Sequence, residues 1–495
     1  MSWLKKHKDL AVAVLVTAAF LVASFLTLSR DIYWLFLLPL AGLVVALFVL
    51  KFETGLLVMA LLTPFAIDYA LLPGMELSMP VEPMMILFTV MFFFRVLVER
   101  SYDRRILRHP VTIAIMAMLL WMVVTSATSQ LPAVSFKYFA ARLWFVVPFF
   151  FAATQIFRDR NRVGQFVFCY AFSLVVVILI STAKTLGNFH DLQTLHRVMR
   201  PFYNDHTAYG CVIALFVPIV FHYFLRSGEE RQSEGASLWL RPVLMVAVAS
   251  LAVGLFFSYS RAAWISVFGA IGVYFAIRIG MKVRWLVLLF ALGASLFFVY
   301  QSDVLYKLGK NKQDSSYDLS GQVKSISNIS TDASNLERLN RWASAMRMFK
   351  ERPLLGCGPG TYQFLYASYQ RSYQLSVIST NSGNRGNAHS EYIGPLTEQG
   401  IPGAALILCI FLATFATGVH VYRRAANPEV SRLALALTLS LLTYYIHGIF
   451  NNFLDTDKLS VPFWAFTAAV VALDVFSEKK TETPDNHSEA ENRLS

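Results

Sequence analysis

The sequence predicts an all-α polytopic membrane protein with about 12–14 transmembrane helices, and three observations predict it. Mean hydropathy is +0.52. Hydrophobic residues make up 56% of the 495, with 41 Phe among them. Apolar runs near the length that crosses a bilayer recur along the chain. Lipid rather than water must solvate most of such a surface, which excludes a soluble fold.

The runs lie at about 10–28, 32–50, 54–73, 80–98, 110–127, 136–157, 163–183, 206–225, 242–259, 262–280, 284–301, 402–421, 431–450 and 459–476. The first follows Lys5, Lys6 and Lys8 and has the basic start of a secretory signal. No small-x-small cleavage site precedes the next run, so it reads as a retained helix. Basic residues then recur in alternate loops: Lys51, Arg100 to Arg108, Arg158 to Arg162, Arg226 to Arg241, Arg278 to Arg284, Arg423 to Arg432, and finally Lys479 and Lys480. The positive-inside rule puts these loops and both termini in the cytoplasm. The formal net charge of +12 lies mostly there, facing anionic headgroups of the membrane lipids, and requires no nucleic-acid partner.

Four segments follow: N-terminal transmembrane helices over 1–301, an external loop over 302–390, C-terminal transmembrane helices over 391–476, and a polar tail over 477–495 expected to be a disordered cytoplasmic end. Cys169, Cys211, Cys357 and Cys409 include no C-x-x-C pair and read as packing residues. The chain carries no metal-ligand or phosphate-loop signature, so neither a metal nor a cofactor is expected.

The external side collects the chemistry. Arg200-Pro-Phe-Tyr-Asn-Asp-His-Thr-Ala-Tyr-Gly210 sets a cation and polar side chains at the start of an apolar run, where Asn204 or Asp205 can cap the helix. The plain alternative is a cap beside a snorkelling arginine. In Tyr259-Ser-Arg-Ala-Ala-Trp264, Arg261 stands between two apolar runs with almost no loop, a position that marks an anion or substrate path when the arginine is paired. The alternative is a boundary arginine reaching the headgroups, with Trp264 an interfacial anchor.

Within the loop, Ser334-Asn-Leu-Glu337 has the form of a capping box. Leu336, Leu339, Trp342, Met346 and Phe349 then repeat at helical spacing, with Arg338, Arg341, Arg347 and Lys350 around them. The amphipathic helix they predict lies on the membrane surface or over the bundle. Arg352-Pro-Leu-Leu-Gly-Cys-Gly-Pro-Gly360 ends it with turn-forming residues. His389 follows, with Glu391, Tyr392 and Glu398 at the entrance to the next apolar run. A carboxylate near an imidazole can hold its tautomer and raise its basicity, which suits proton transfer near neutral pH. Arginine forks bind phosphate oxygens bidentately. Together these groups suit a lipid diphosphate whose leaving group is stabilised by Arg200, Arg261 and Arg338, while His389 deprotonates an acceptor hydroxyl.

Tyr259 to Trp264, Arg338 with Arg341-Trp342, Phe349 to Gly360, Ala388-His-Ser-Glu-Tyr392 and Glu398 to Gly403 resemble the O-antigen ligase and polymerase superfamily, over roughly residues 195–450. That resemblance implies a GT-C-type glycosyltransferase fold in the bacterial inner membrane, with one large periplasmic loop. It implies an O-antigen ligase that moves a glycan from undecaprenyl diphosphate to lipid A-core, with inversion and without a metal. His389 would match the family's loop histidine, the proposed base. Arg261 and Arg200 would meet the diphosphate, with Arg338, Asn204, Tyr259 and Glu391 as further substrate-binding residues. Ser390 stands where many members carry Asn, which removes an amide contact but leaves the imidazole chemistry intact.

Within the superfamily, polymerisation of lipid-linked repeats and transfer of a glycan to protein hydroxyls need the same groups. A transporter for polyprenyl-diphosphate-linked glycans is the alternative from a different class. Against it, Arg95, Arg142 and His447 are the main ionisable residues deep in predicted helices, and Arg142 reads as a helix-end snorkeler.

Overall fold

The structure is a computed structural model that describes residues 37–72, 75–100, 102–187, 197–230, 239–282, 333–375 and 386–478, with single positions at 17, 18, 20, 22, 24, 284, 285, 288 and 379. The predicted helices at 10–28 and 284–301, residues 302–332 of the loop and the tail beyond 478 lie outside the described residues. Contacts divide the chain into residues 1–56 and 57–495. The first unit holds α1 (Leu37–Leu50) and the start of α2 (Phe52–Leu62), where Gly55 leaves room for the Phe48 ring. The second unit carries everything below.

The apolar run at 54–73 is not one membrane helix. Pro64 has no amide hydrogen to continue α2, which closes in a single 3-10 turn at Thr63–Phe65. The chain then forms an antiparallel hairpin, β1 (Ile67–Leu72) with β2 (Met75–Met79), paired as Ile67 with Met79 and Tyr69 with Leu77. The expectation of an all-α polytopic membrane protein holds for the bundle as a whole, to which the described residues add one short β-hairpin at its end.

Ten helices among the described residues are long and apolar enough to cross a membrane. They are α3 (Val81–Glu99), α4 (Pro110–Ala127), α5 (Pro132–Ile156), α6 (Arg160–Gly187), α7 (His206–Glu230), α8 (Leu240–Phe257), α9 (Arg261–Arg278) and, beyond the loop helix α10 (Ala333–Glu351), α11 (Ile393–Arg424), α12 (Pro428–His447) and α13 (Asp457–Phe476). Their starts follow ordinary capping chemistry. Asn427 Oδ1 accepts from Glu429 N at 2.8 Å with Pro428 at the first helical position, and Asp205 Oδ1 accepts from Thr207 N at 3.0 Å. Pro148 interrupts the α5 ladder, which widens to a π turn over Val147–Ala152.

At the centre stand α12 and α13, with α7, α9 and α11 against α12, and α8 and α4 outside α7 and α11 respectively. Small residues permit the closest approaches. A Cβ on Gly418 of α11 would come 1.9 Å from Thr438 Oγ1 of α12, and one on Gly210 of α7 would come 2.8 Å from Ser258 Oγ and Ser260 Cβ.

Contacts sort the loops to two ends. At one, His109 faces Asp474 at 3.4 Å, Arg226 pairs with Glu429 at 3.2 Å, and Arg423 Nη2 donates to Met281 O at 2.7 Å. At the other, Lys458 Nζ donates to Ala66 O at 2.8 Å and reaches Asp457 Oδ2 at 3.1 Å, while Ser78 Oγ donates to that same carboxylate oxygen at 2.8 Å. This buried pair ties the hairpin to the start of α13. Because each of its charges has a partner, burial there does not strand a bare ion.

Candidate functional site

The residues singled out in the sequence lie at the end of the bundle that carries the hairpin. Two motifs about forty residues apart in sequence lock together backbone to backbone. Cys357 N donates to Thr397 O at 3.1 Å, Gly358 N to Glu398 O at 2.8 Å, and Ile401 N to Pro353 O at 2.9 Å. Gly400 makes this possible: its φ is +70°, and a Cβ there would sit 2.1 Å from Leu354 O. The Glu398 carboxylate accepts from Gly360 N at 2.9 Å and Tyr362 N at 3.0 Å, so it staples the turn after α10. Trp121 Nε1 donates to Gln399 O at 2.9 Å, and Gln130 N to Cys357 O at 2.9 Å, which docks the described loop onto the end of α4.

Helix α10 lies over the bundle and packs against α11. Leu339, Trp342, Ala345 and Met348 are its buried face, clustered with Tyr362, Tyr366, Ala388 and Ile393. Met346 and Phe349, expected on that face, are only half-buried. Of the expected capping box, the Ser334 side chain lies outside what the structure describes, while Glu337 receives Arg341 Nε at 2.8 Å and the Ser379 hydroxyl.

Arg341 is therefore a buried anchor rather than one of the outer arginines. Besides Glu337, its Nη1 donates to Asn387 O at 3.1 Å, and its guanidinium lies 5.1 Å from the centre of the Tyr366 ring. Gly386 is what admits it, since a Cβ there would come 1.9 Å from Arg341 Nη1. The guanidinium thus holds the strand of chain that leads into His389.

His389 sits in the left-handed backbone region at φ 49°, a conformation that costs a residue with a Cβ about 1–2 kcal/mol. Contacts on both sides impose it. Asn387 Oδ1 accepts from His389 N at 3.1 Å, and Glu391 N donates to Gly448 O at 2.8 Å. Glu391 is buried, and its Oε1 accepts from Phe453 N and Leu454 N at 2.9 Å each and from the Tyr444 hydroxyl. Its carboxylate fastens the His389 segment to the turn between α12 and α13, where the sequence had suggested an orienting partner for the imidazole. Burial pushes the Glu391 pKa up, opposed by these hydrogen bonds.

The His389 pKa is lowered to about 3, first by burial and then by the positive charges of Arg341 and Arg338, with Asp205 pulling the other way. The imidazole is neutral at pH 7. Arg338 is half-buried, and its Nε donates to Phe450 O at 3.3 Å. Asp205, besides capping α7, pairs with His206 at 3.2 Å, and its pKa is held low by that imidazole and by the Thr207 hydroxyl and amide despite burial. The charges of Arg338 and Asp205 also reach His447, the last residue of α12. Four segments distant in sequence thus bring Asp205, Arg338, His389 and His447 together.

The other expected site residues line the same end. Arg200 is exposed in the turn before α7, and its carbonyl accepts from Lys184 Nζ at 2.8 Å. Asn204 is exposed and donates to Asp68 Oδ2 of β1 at 2.6 Å. Tyr259 adopts φ 48° in the turn that Gly210 accommodates, and Arg261 opens α9, half-buried. Trp264 Nε1 donates to Leu255 O at 2.9 Å and so braces that turn.

Sequence reasoning named three further residues without placing them in the site. Arg142 is buried, with Nη1 on Leu454 O at 2.8 Å and Nη2 on the Tyr138 hydroxyl at 2.9 Å, so it anchors the α12–α13 turn from within and does not snorkel. Arg341 and His447 are the others. Asn at 451, four residues past His447, was the one available hint that the second imidazole has a partner. Arg95 pairs on the outside with Glu99 at 2.8 Å.

The family model described as O-antigen ligase matches residues 244–408. The resemblance to the O-antigen ligase-like superfamily therefore holds over a stretch that contains Tyr259, Arg261, Arg338, Arg341, His389, Glu391 and the interlocked 352–360 and 398–403 turns. No curated protein matches the chain. With ten apolar helices among the described residues, this is a multi-pass membrane protein similar to a ligase-like, glycosyltransferase-like enzyme family, whose kind of reaction joins a lipid-linked glycan to a lipid acceptor.

Proposed function

We propose that the protein is an O-antigen ligase-like glycosyltransferase of GT-C type in the bacterial inner membrane. It transfers a glycan from undecaprenyl diphosphate to an acceptor hydroxyl of lipid A-core on the periplasmic face, with both termini cytoplasmic. His389 takes the proton from the acceptor hydroxyl. The oxygen attacks the anomeric carbon from the side opposite the diphosphate, and the bond from that carbon to the diphosphate oxygen breaks with its electron pair. Inversion follows, and undecaprenyl diphosphate leaves with the negative charge. Arg338, Arg261 and Arg200 stabilise that charge without a metal, and Tyr259 and Asn204 line the approach. Glu391 holds the base in place rather than touching the donor.

The observation that carries this reading is the family match around a strained, neutral His389 that shares its surroundings with Arg338. A base held near a pKa of 3 is weak in the empty protein. A bound diphosphate places negative charge beside Arg338 and so cancels part of what lowers the imidazole, which couples donor binding to basicity.

The test is a chromosomal deletion complemented with the parent chain or with His389→Ala, with lipopolysaccharide and glycoprotein profiles run side by side. Loss of long-chain lipopolysaccharide, with glycan accumulating on the lipid donor, is the expected result for both the deletion and the variant. Single-repeat lipopolysaccharide would mean a polymerase, and loss confined to glycoproteins a protein O-oligosaccharyltransferase. Full rescue by His389→Ala would remove the base and restore the transporter alternative. In purified form, the variant should lose about 10²–10⁴-fold in transfer with donor still bound, and chelation with EDTA should leave the parent rate unchanged.

A further inference from the structure

His447 is completely buried at the end of α12. Its Nε2 lies 3.1 Å from the Asn451 side-chain amide nitrogen. An amide nitrogen can only donate, so Nε2 is the acceptor and the ring proton of the neutral tautomer resides on Nδ1. That Nδ1 has no hydrogen-bond partner among the described residues. A buried donor left without an acceptor is destabilising by about 1–3 kcal/mol, and folded proteins keep such groups mainly where something else completes them.

The surroundings indicate what completes it. The ring packs near Phe453, with centroids 5.9 Å apart, in the turn that Glu391 and Arg142 pin from two sides. Phe450 O, which accepts from Arg338, lies three residues beyond His447. Gly448 O, one residue beyond, receives Glu391 N. His447 therefore shares one turn with the supports of both the proposed base and a proposed diphosphate arginine, and its own carbonyl accepts from Phe450 N at 3.0 Å.

We propose that Nδ1 of His447 is a hydrogen-bond donor to an anionic oxygen of the donor lipid's diphosphate, acting beside Arg338. This rests on the transferase reading and adds a neutral donor to it. Unlike an arginine, a neutral imidazole adds no net charge, so it contributes directional binding of the diphosphate without further lowering the basicity of His389. Asn451 fixes the tautomer that makes the contact possible, and its removal would let the proton move to Nε2.

Two substitutions separate this role from packing. His447→Phe keeps a ring against Phe453 but has no donor, whereas His447→Asn places an amide nitrogen where Nδ1 stands. The experiment uses the full chain in lipid nanodiscs, with undecaprenyl diphosphate as probe, and measures its affinity, the KM for glycan-loaded donor, kcat and the melting temperature. We expect His447→Phe to weaken diphosphate affinity and raise donor KM by roughly tenfold or more, the loss associated with one hydrogen bond to a charged group. His447→Asn should recover most of it. Parent-like affinity in His447→Phe, or equal losses in both variants that track a fall in melting temperature, would overturn the inference while leaving the transferase reading in place. Failure of the parent chain to bind the diphosphate would overturn both.

Discussion

Helices α8 and α12 are both read from sequence as ordinary membrane spans, yet in an 18-residue apolar stretch of each, 22% of α8 is buried inside the protein against 78% of α12. The outward face of α8 shows Val243, Met245, Val246, Val253 and Phe256 to lipid. Buried α12 instead carries Thr438, Ser440 and Thr443, and both threonine hydroxyls turn back to their own helix, Thr438 Oγ1 to Ala434 O at 2.6 Å and Thr443 Oγ1 to Ser440 O at 2.7 Å. A helix surrounded by other helices gains little from being more apolar, because lipid tails are as apolar as its neighbours. Small and hydroxylated side chains allow it close packing instead. The site hangs from the buried helix, and the lipid-facing one reaches it only through the Tyr259–Arg261 turn that follows it.

The largest effect expected from that contrast lies where the loop meets the core. Arg341→Ala strands a buried Glu337 and releases the chain before His389, so stability of the loop should fall by about 3–5 kcal/mol. Hydrogen exchange should show faster opening of residues 386–391, and transfer should fall with it. Arg341→Lys should restore little, since one ammonium cannot serve Glu337, Asn387 O and the Tyr366 face together. Full protection and activity in either variant would sever the proposed link between α10 and the base.

Next comes the α11–α12 contact. Gly418→Val pushes a methyl group into Thr438 and should lower stability by about 1–3 kcal/mol, read as a drop in melting temperature in nanodiscs. The smallest effect belongs to α8, where Met245→Leu on the lipid-facing side should stay within about 0.5 kcal/mol of the parent. If the two substitutions moved stability equally, the division into a packed and a lipid-facing layer would be wrong.

Much of the architecture was legible in the sequence, for reasons that also set the limit. Helices long enough to span lipid announce themselves by local composition, and the period of Leu339 and Trp342 located the amphipathic helix over the loop. The first strand of the hairpin, Ile67–Leu72, was hidden at the end of an apolar run, and the second, Met75–Met79, lies in the short gap before the next run, where it read as a loop. In the site, His389, Arg261 and Arg338 stood out by type and position. Glu391 was named with them, but its partners were not legible, nor were the places of Arg142 and His447 in the site, since what defines these residues are partners such as Leu454, Tyr444 and Asn451, most of them distant in the chain. Arg142 meets Leu454 across 312 residues, a pairing that periodicity cannot report.

The measurement that bears most directly on the proposed chemistry is the titration of His389 itself, by NMR of the imidazole nitrogens in the full chain, assigned with His389→Gln, with and without undecaprenyl diphosphate. An unperturbed histidine loses its proton near pH 6.5. In the empty protein, His389 should stay neutral well below that, with protonation setting in only towards about 3. Because the unfolded chain binds this proton first, acidification from pH 7 should also cost stability as pH falls through 6.5. Binding of the diphosphate should raise the titration towards neutrality by offsetting Arg338 and Arg341. An imidazole that titrates near 6.5 in the empty protein and does not move when the diphosphate binds would contradict the account.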